Sequence, residues 1–536
     1  MSKNRSDGSF YTPKIFADFA HSVISKHFGN DWKSRYIVWD SAWGLGNLTG
    51  GYRFDNLLAS TIDGEDLLSP NNPEATKFRM DFLNDDIPDL IDEILSSNPP
   101  IIFFFNPPYA SHSEMRHGVK LKKDFSTDTM VAGCMGKLGK ARINLFAQFL
   151  YRVKMIKDHY KLTDCNICVF SSSIFMSGSG YGKFRREFLF DFNFIDGYLF
   201  NASYFDECSD RWGVSFSVWK SGNCQDKHNF LHHVLEVKND NVEVTGEKLI
   251  YNIDGETSLR EWAKAPIANQ KTYPGVTLKS AINVGEKVGS WKTEDAIGFY
   301  VNDGNNVYQS LKNCYILSAC PNSRVSGFSI TPNNFERVCV AFTARKVIQN
   351  NWMNDKDEFL APGGYSGELE KIWNEFKADS IVYSIFHSAS NQSSLRNIEW
   401  IGEIHDIKNE MFPFLCEDVV FNGSYYGNKE LVDSWDNRER FVAKYIIDNH
   451  IANYESPEAQ AVFNIALGLT HDTIDKRKEY DELHPEYQIN NCDAGYYQMR
   501  PLWEKYNEDT LKEFRKAYKR LGEKLKRQVY QLGLLK

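Results

Sequence analysis

The chain has no run of eighteen uncharged apolar residues, which excludes an ordinary membrane-spanning helix, and no membrane partner is expected. The first residues, Met1 to Gly8, are polar and carry no apolar signal core. Cysteines are few and scattered, ten in 536 residues. Only Cys165 and Cys168 form a Cys-x2-Cys pair, and no second pair exists to complete a zinc site, so no metal is expected. Reduced, mostly buried thiols in a cytoplasmic protein are the reading. Positive charge is not in excess either: the net charge is −9, which argues against a nucleic-acid partner for the chain taken as a whole. Nuclease-like clusters are also lacking. His232-His233 reads as a strand-edge pair, and His471-Asp472 and Asp481-Glu482-Leu483-His484 read as caps and solvated helix surface. What is abundant is apolar and aromatic material, 42% and 14% of residues, enough for packed cores in the two or three domains that this length suggests.

Within that material one segment stands out. The run Ile101-Ile102-Phe103-Phe104-Phe105 is stopped abruptly by Asn106-Pro107-Pro108-Tyr109. Five large residues of high strand propensity ended by two prolines predict a buried strand and a rigid turn. In an open α/β sheet, ligands bind at the carboxyl ends of strands. Such a turn suits a flat amine: Asn106 and the Pro107 carbonyl can accept hydrogen bonds from an –NH2 group while Tyr109 stacks on the ring. Alone, the tetrad also fits an ordinary strand-to-loop turn.

Upstream, Tyr36-Ile37-Val38-Trp39 runs into Asp40-Ser41-Ala42-Trp43-Gly44-Leu45-Gly46. Two glycines let the backbone bend sharply and approach a ligand closely. The third glycine of the dinucleotide fingerprint is missing, and Asp40 would repel a pyrophosphate, so a zwitterionic or cationic ligand fits better. The stretch Leu57 to Ile62 ends at Asp63, placed to hold ribose hydroxyls. A third strand-like segment, Phe78 to Leu83, carries Asp81 and Phe82, and the Asp81 carboxylate could accept from an adenine amino group.

The order of these residues resembles the gamma group of S-adenosylmethionine-dependent DNA amino-methyltransferases, which make N6-methyladenine or, less often, N4-methylcytosine. Gly8-Ser9-Phe10-Tyr11-Thr12-Pro13 resembles that group's N-terminal motif, which implies Tyr11, Thr12 and Pro13 at the methionine end of the cofactor. Asp40, Ala42, Gly44 and Gly46, then Asp63, Asp81 and Phe82, are implied as further cofactor contacts, with Asn106 shared between cofactor and base. Asn144-Leu145-Phe146, Lys183 to Leu189 and Val214 to Lys220 are similar to the later helices and strand. Two positions depart from the pattern. Trp43 replaces a smaller residue in the glycine loop, and the aromatic that stacks on a flipped base has only Tyr181 as its nearest candidate. C5-cytosine chemistry would need a thiolate in a Pro-Cys pair, and no such dipeptide occurs.

The resemblance implies a Rossmann-like α/β domain over residues 1–225, a mostly parallel seven-stranded sheet flanked by helices. It is followed by a mixed α+β recognition region over 226–430 and a mainly helical segment over 431–536. The activity implied is methylation of adenine N6 in double-stranded DNA, by base flipping and direct transfer. An N4-cytosine enzyme, a bifunctional restriction-modification enzyme, an RNA or protein-amide methyltransferase, and a non-catalytic protein of the same fold stay open. A separate restriction endonuclease partner is compatible with the resemblance, and the oligomeric state stays open. For phosphates, Lys120, Lys122 and Lys123 lie just after the tetrad. Residues 511–536 hold nine Lys or Arg against two Glu, and a solvated helix face is the favoured reading there. Phe230 to Val237 and Val242 to Thr245 predict a hairpin across Lys238-Asn239-Asp240-Asn241.

Overall fold

The computed structural model describes residues 11–109, 128–205, 208–267, 272–280, 283–285, 289–293, 295–322, 326–391, 393–415, 440–476, 479, 482 and 493–536. Gly8, Ser9, Phe10, Lys120, Lys122 and Lys123 therefore lie outside the described residues. Two compact units divide the chain, one taking residues up to Gly255 together with Asn351–Glu358, the other Glu256–Asn350 and Phe359–Lys536.

The first unit is built on one sheet. Its strands are β1 (Ile37–Asp40), β2 (Leu57–Thr61), β3 (Thr76–Arg79), β4 (Ile101–Phe105), β5 (Cys165–Ser171), β6 (Phe192–Asn201), β7 (Gly213–Ser221), β8 (Asn229–Lys238) and β9 (Asn241–Tyr251). Their spatial order is 3-2-1-4-5-7-6-8-9. Strands β3 to β5 in that order run parallel, and β7 is antiparallel to both neighbours. The expected sheet had seven strands; the structure has nine. The additional two are the predicted hairpin, which pairs with β6 at Tyr198↔His233 and Leu199↔Val234. Its Asn239 and Asp240 both adopt positive φ, the turn conformation that matches strand twist. Sheet and unit thus run past residue 225, because the hairpin extends the sheet instead of opening a new domain.

Side chains of the central strands alternate between two cores, as the two-residue period requires. Ile101, Phe103 and Phe105 face one core with Trp39, Ile167 and Val169, while Ile102 and Phe104 face the other with Val38, Cys168 and Phe170. Helix α1 (Lys14–Phe28) buries Phe16, Ala17, Ala20, Val23, Ile24 and Phe28 on the second face and stops at Gly29, whose φ is 89°. Helices α2 (Asp89–Ser96), α3 (Leu145–Tyr160) and α4 (Gly182–Asp191) contribute Ile91, Leu95, Phe146, Leu150, Phe184 and Phe188 to the first. Coverage on both faces explains why β4 is apolar at every position. His232 is fully buried in β8, which is paired on both sides, so it is not an edge residue. Burial lowers its pKa to about 4, outweighing the opposing effect of Phe230 O at 3.0 Å from Nδ1, and Ser215 Oγ lies 2.9 Å from Nε2.

The second unit has one large core running from Leu259 to Leu535, so the segments on either side of residue 430 share it. Two helices that the sequence reading did not single out, α5 (Phe335–Val347) and α6 (Glu368–Ile385), sit among short strands. The C-terminal basic segment is α7 (Glu508–Gln531), which buries Phe514, Leu521 and Leu525 as its spacing predicted. Several of its cations meet acids: Lys512 meets Glu508 and Asp509, Arg515 meets Glu504, and Lys524 reaches Asp379 and Glu375 of α6. No described helix is long and apolar enough to cross a membrane. Of the described cysteines, Cys165, Cys168, Cys224, Cys314, Cys320 and Cys339 are buried.

Candidate functional site

Strand order 3-2-1-4-5 reverses direction between β1 and β4, and at such a switch point the following loops diverge and leave a crevice. The register Trp39↔Phe103 places the end of β1, Asp40, and the turn after β4, Asn106, on the two sides of that crevice. Residues separated widely in sequence meet here because parallel strands bring all their carboxyl ends to one edge.

Asp40 is 1% exposed and its carboxylate accepts from the Ala42 N–H at 3.1 Å. Burial pushes its pKa up to about 8, and the Ala42 hydrogen bond offsets only part of that. No cation among the described residues lies beside it. A buried carboxylate is normally paired, because isolating the charge from water costs several kcal/mol, roughly, even after relaxation.

The loop after Asp40 is shaped by its glycines. Gly44 and Gly46 have φ of 51° and 79°, a region that L side chains rarely enter. A Cβ on Gly46 would stand 2.7 Å from the Trp43 ring. Trp43 itself is 3% exposed and donates from Nε1 to Thr49 Oγ1 at 3.1 Å. The indole therefore props the loop from beneath, and this large residue of the glycine loop is core. Tyr11 reaches the same place, with Cε1 3.9 Å from a Cβ built on Gly44. Partial burial, then the carboxylates of Asp66 and Asp63, raise its hydroxyl pKa. Asp63 is exposed one residue past Ile62 at the end of β2, and its carboxylate accepts from the Glu65 N–H at 3.0 Å. The N-terminal motif, the glycine loop and the second-strand acid thus converge.

The tetrad is joined to them through Asn106. Its Nδ2 donates to Thr12 Oγ1 at 3.1 Å, and its Oδ1 accepts from the Tyr109 hydroxyl at 3.0 Å. Pro107 is buried, while Asn106, Pro108 and Tyr109 are half-buried. Pro13 starts α1, its carbonyl accepting from Phe16 and Ala17, and so fixes Thr12 in place.

Three expected contacts are placed otherwise. Asp81 spends its carboxylate on a local turn, accepting from Leu83 N at 3.0 Å and Asn84 Nδ2 at 2.7 Å. Phe82 is 2% exposed and packs against Trp39 and Phe149 in the core. Tyr181 is 3% exposed, stacked on Phe146 at 6.2 Å, so no base can lie on its ring. The aromatic that does neighbour Tyr109 is Trp212, edge-on with centroids 5.6 Å apart. The sequence reading missed it because no motif marks it. Its signal is topological: β7 runs antiparallel to β5, so the residue before β7 returns to the carboxyl edge.

No protein-family description matches the chain, and no curated protein does. Solved structures with some likeness include the methyltransferase subunit of a type I restriction-modification system from Streptococcus thermophilus, at 15% identity and TM-score 0.31 over 44% of this chain and 50% of that one. Another is the type ISP restriction-modification enzyme LlaGI, a nuclease-deletion mutant in complex with a DNA substrate mimic, at 16% and 0.29 over 46% and 28%. A third is the type IIG restriction endonuclease BpuSI, at 14% and 0.27 over 50% and 35%. The match spans half or less of the length of each of these proteins. Likeness at this level carries no functional weight, and the reading below rests on the geometry of the site.

Proposed function

We propose that the first unit is an S-adenosylmethionine-dependent methyltransferase acting on the N6 amino group of adenine in double-stranded DNA. The observation that carries this reading is the pairing of two features at one sheet edge: a buried carboxyl with no cation beside it among the described residues, Asp40, and an amide held by hydrogen bonds in a proline-locked turn, Asn106. A sulfonium with an ammonium group supplies the positive charge that Asp40 lacks. Gly44 and Gly46 allow close backbone approach, Tyr11 closes over the loop, and Asp63 is free of the core to take ribose hydroxyls. When bound, the cofactor supplies an electrophilic methyl group.

The chain's own residues act on the acceptor. An exocyclic amine is a weak nucleophile because its lone pair is delocalised into the ring. Asn106 Oδ1 has two lone pairs, so it can accept from Tyr109 and from the amine together. With the Pro107 carbonyl as second acceptor, the nitrogen is drawn toward tetrahedral geometry and its pair is localised. Positioning of this kind needs no strong base. Extruding the base from the duplex costs a few kcal/mol, roughly, and the Tyr109 ring with Trp212 beside it offers stacking in return. Recognition of the surrounding DNA sequence is assigned to the chain beyond Gly255, which holds most of the expected 226–430 region and its helical continuation.

The test is a titration with S-adenosylmethionine followed by methyl transfer to genomic DNA and digestion to nucleosides. N6-methyladenine is expected, and Asn106→Ala is expected to abolish transfer with cofactor affinity retained. Failure to bind the cofactor would sink the enzyme reading. N4-methylcytosine in the digest would overturn the choice of base, and equal loss of binding and transfer in the Asn106 variant would misplace the pocket.

A further inference from the structure

We infer that Asn72 is a positioning residue for cofactor binding, fastening the glycine loop in its receiving shape through Thr49 and the Trp43 indole. This rests on the reading of that loop as the one that meets S-adenosylmethionine. Trp43 Nε1 can only donate, so Thr49 Oγ1, 3.1 Å away, accepts from it. The Thr49 proton is then left for Asn72 Oδ1 at 2.9 Å. At the other end of the same amide, Nδ2 donates to Thr49 O and Tyr52 O, both at 3.0 Å. Carbonyls only accept, so the amide cannot be turned over and each bond of this relay has a single direction.

Burial and backbone shape both serve the relay. Thr49 is fully buried and Asn72 is 6% exposed, so little water competes for these groups. Asn72 has a φ of 48°, in the left-handed region where asparagine is one of the few tolerated side chains. The same segment grips the loop a second time: Leu45 O, between the two glycines, accepts from Ser69 Oγ and from Asn71 Nδ2, each at 2.8 Å. Lys77 of β3 adds its ammonium 4.7 Å from the centre of the Trp43 ring. Both Nδ2 protons of Asn72 are spent inside the protein, so this residue acts on a ligand through the loop and not by touching it. The fastening matters because Gly44 and Gly46 would otherwise let the loop sample many shapes. Ordering it at the moment of binding would then subtract from cofactor affinity.

Asn72→Gly keeps the left-handed backbone and removes the amide. Titrated with S-adenosylmethionine well below its melting transition, this variant is expected to bind about tenfold more weakly, with kcat at saturating cofactor within about twofold of wild type. Thr49→Ser keeps the hydroxyl and is expected to bind as the wild type does. In the full chain labelled with nitrogen-15 at tryptophan, the Trp43 indole N–H is identified by its loss in Trp43→Phe. Its exchange with solvent is expected to quicken in Asn72→Gly and not in Thr49→Ser. A lower melting temperature with unchanged cofactor affinity would make Asn72 a purely structural residue and overturn the inference. Equal indole protection in wild type and Asn72→Gly, or a kcat that falls as far as the affinity, would overturn it too. If the wild type binds no S-adenosylmethionine, the functional reading fails and this inference with it. If the wild type binds and Asn72→Gly binds equally well, the inference fails alone.

Discussion

Asp40 makes the sharpest prediction because its ionisation and cofactor binding must be linked. Its pKa, raised by burial from 3.8 to about 8, means that the side chain of the free protein is mostly protonated at neutral pH. The shift is of order 6 kcal/mol at 1.36 kcal/mol per unit, an upper bound that water penetration reduces. The folded protein holds a proton that the unfolded chain releases near pH 4. This contribution therefore favours folding at low pH, is lost as pH rises between about 4 and 8, and is constant above. A cationic ligand reverses the preference, since it pairs with the carboxylate. Affinity for S-adenosylmethionine should then rise about tenfold per pH unit up to about pH 8, so that binding at pH 6 is about a hundredfold weaker than at the plateau. The cofactor's own amino group titrates near 8, roughly, so the informative quantity is the ratio of wild type to Asp40→Asn, in which that titration cancels. Asparagine keeps an acceptor for Ala42 N–H and removes the charge. Calorimetric titration from pH 5.5 to 9 reads the ratio, roughly covering the window on both sides of the raised pKa. A ratio independent of pH would show that Asp40 does not face the cation, and the cofactor reading of this crevice would lose its main support.

Gly46→Ala should lower the melting temperature by an amount equivalent to about 1–3 kcal/mol and weaken cofactor binding, because the new methyl meets the Trp43 ring and the backbone has positive φ. Thermal melts with and without cofactor measure both effects, and a silent substitution would mean that the loop is free to move. Trp212→Ala should reduce the fluorescence gain of 2-aminopurine at the target position while leaving cofactor affinity alone, and Tyr181→Phe should leave both unchanged. The opposite pattern would return Tyr181 to the base site. Arg185→Met should destabilise the fold by about 3–5 kcal/mol in urea titrations, because the Asp254 carboxylate and the Phe175 and Gly178 carbonyls lose the guanidinium that joins them. A variant as stable as wild type would show that this buried group is dispensable.

Much of the first unit was legible because local rules and tertiary demands agree there. A fully buried parallel strand must be apolar throughout, so Ile101 to Phe105 announced β4 to the residue, and the two prolines marked its end. The hairpin turn was equally plain from Asn239 and Asp240. Asp40, Gly44, Asp63 and Asn106 were legible as separate pieces, each at a strand end or glycine turn, and Tyr11 as one just before the first helix. Asp81, Phe82 and Tyr181 were misplaced for one reason: sequence position says which edge a residue lies near, not whether its side chain turns toward solvent or into the core.

The amino-acid order alone determined the elements and the chemical kinds of group at their ends, since propensity, proline, glycine and alternation act over a few residues. Only the tertiary structure decided which groups stand together. The Thr12 to Asn106 hydrogen bond, Trp212 beside Tyr109, and the burial of Asp40 all arise from strand order and packing. So does the addition of β8 and β9 to the sheet, because pairing partners are selected by contacts between residues that no local pattern connects.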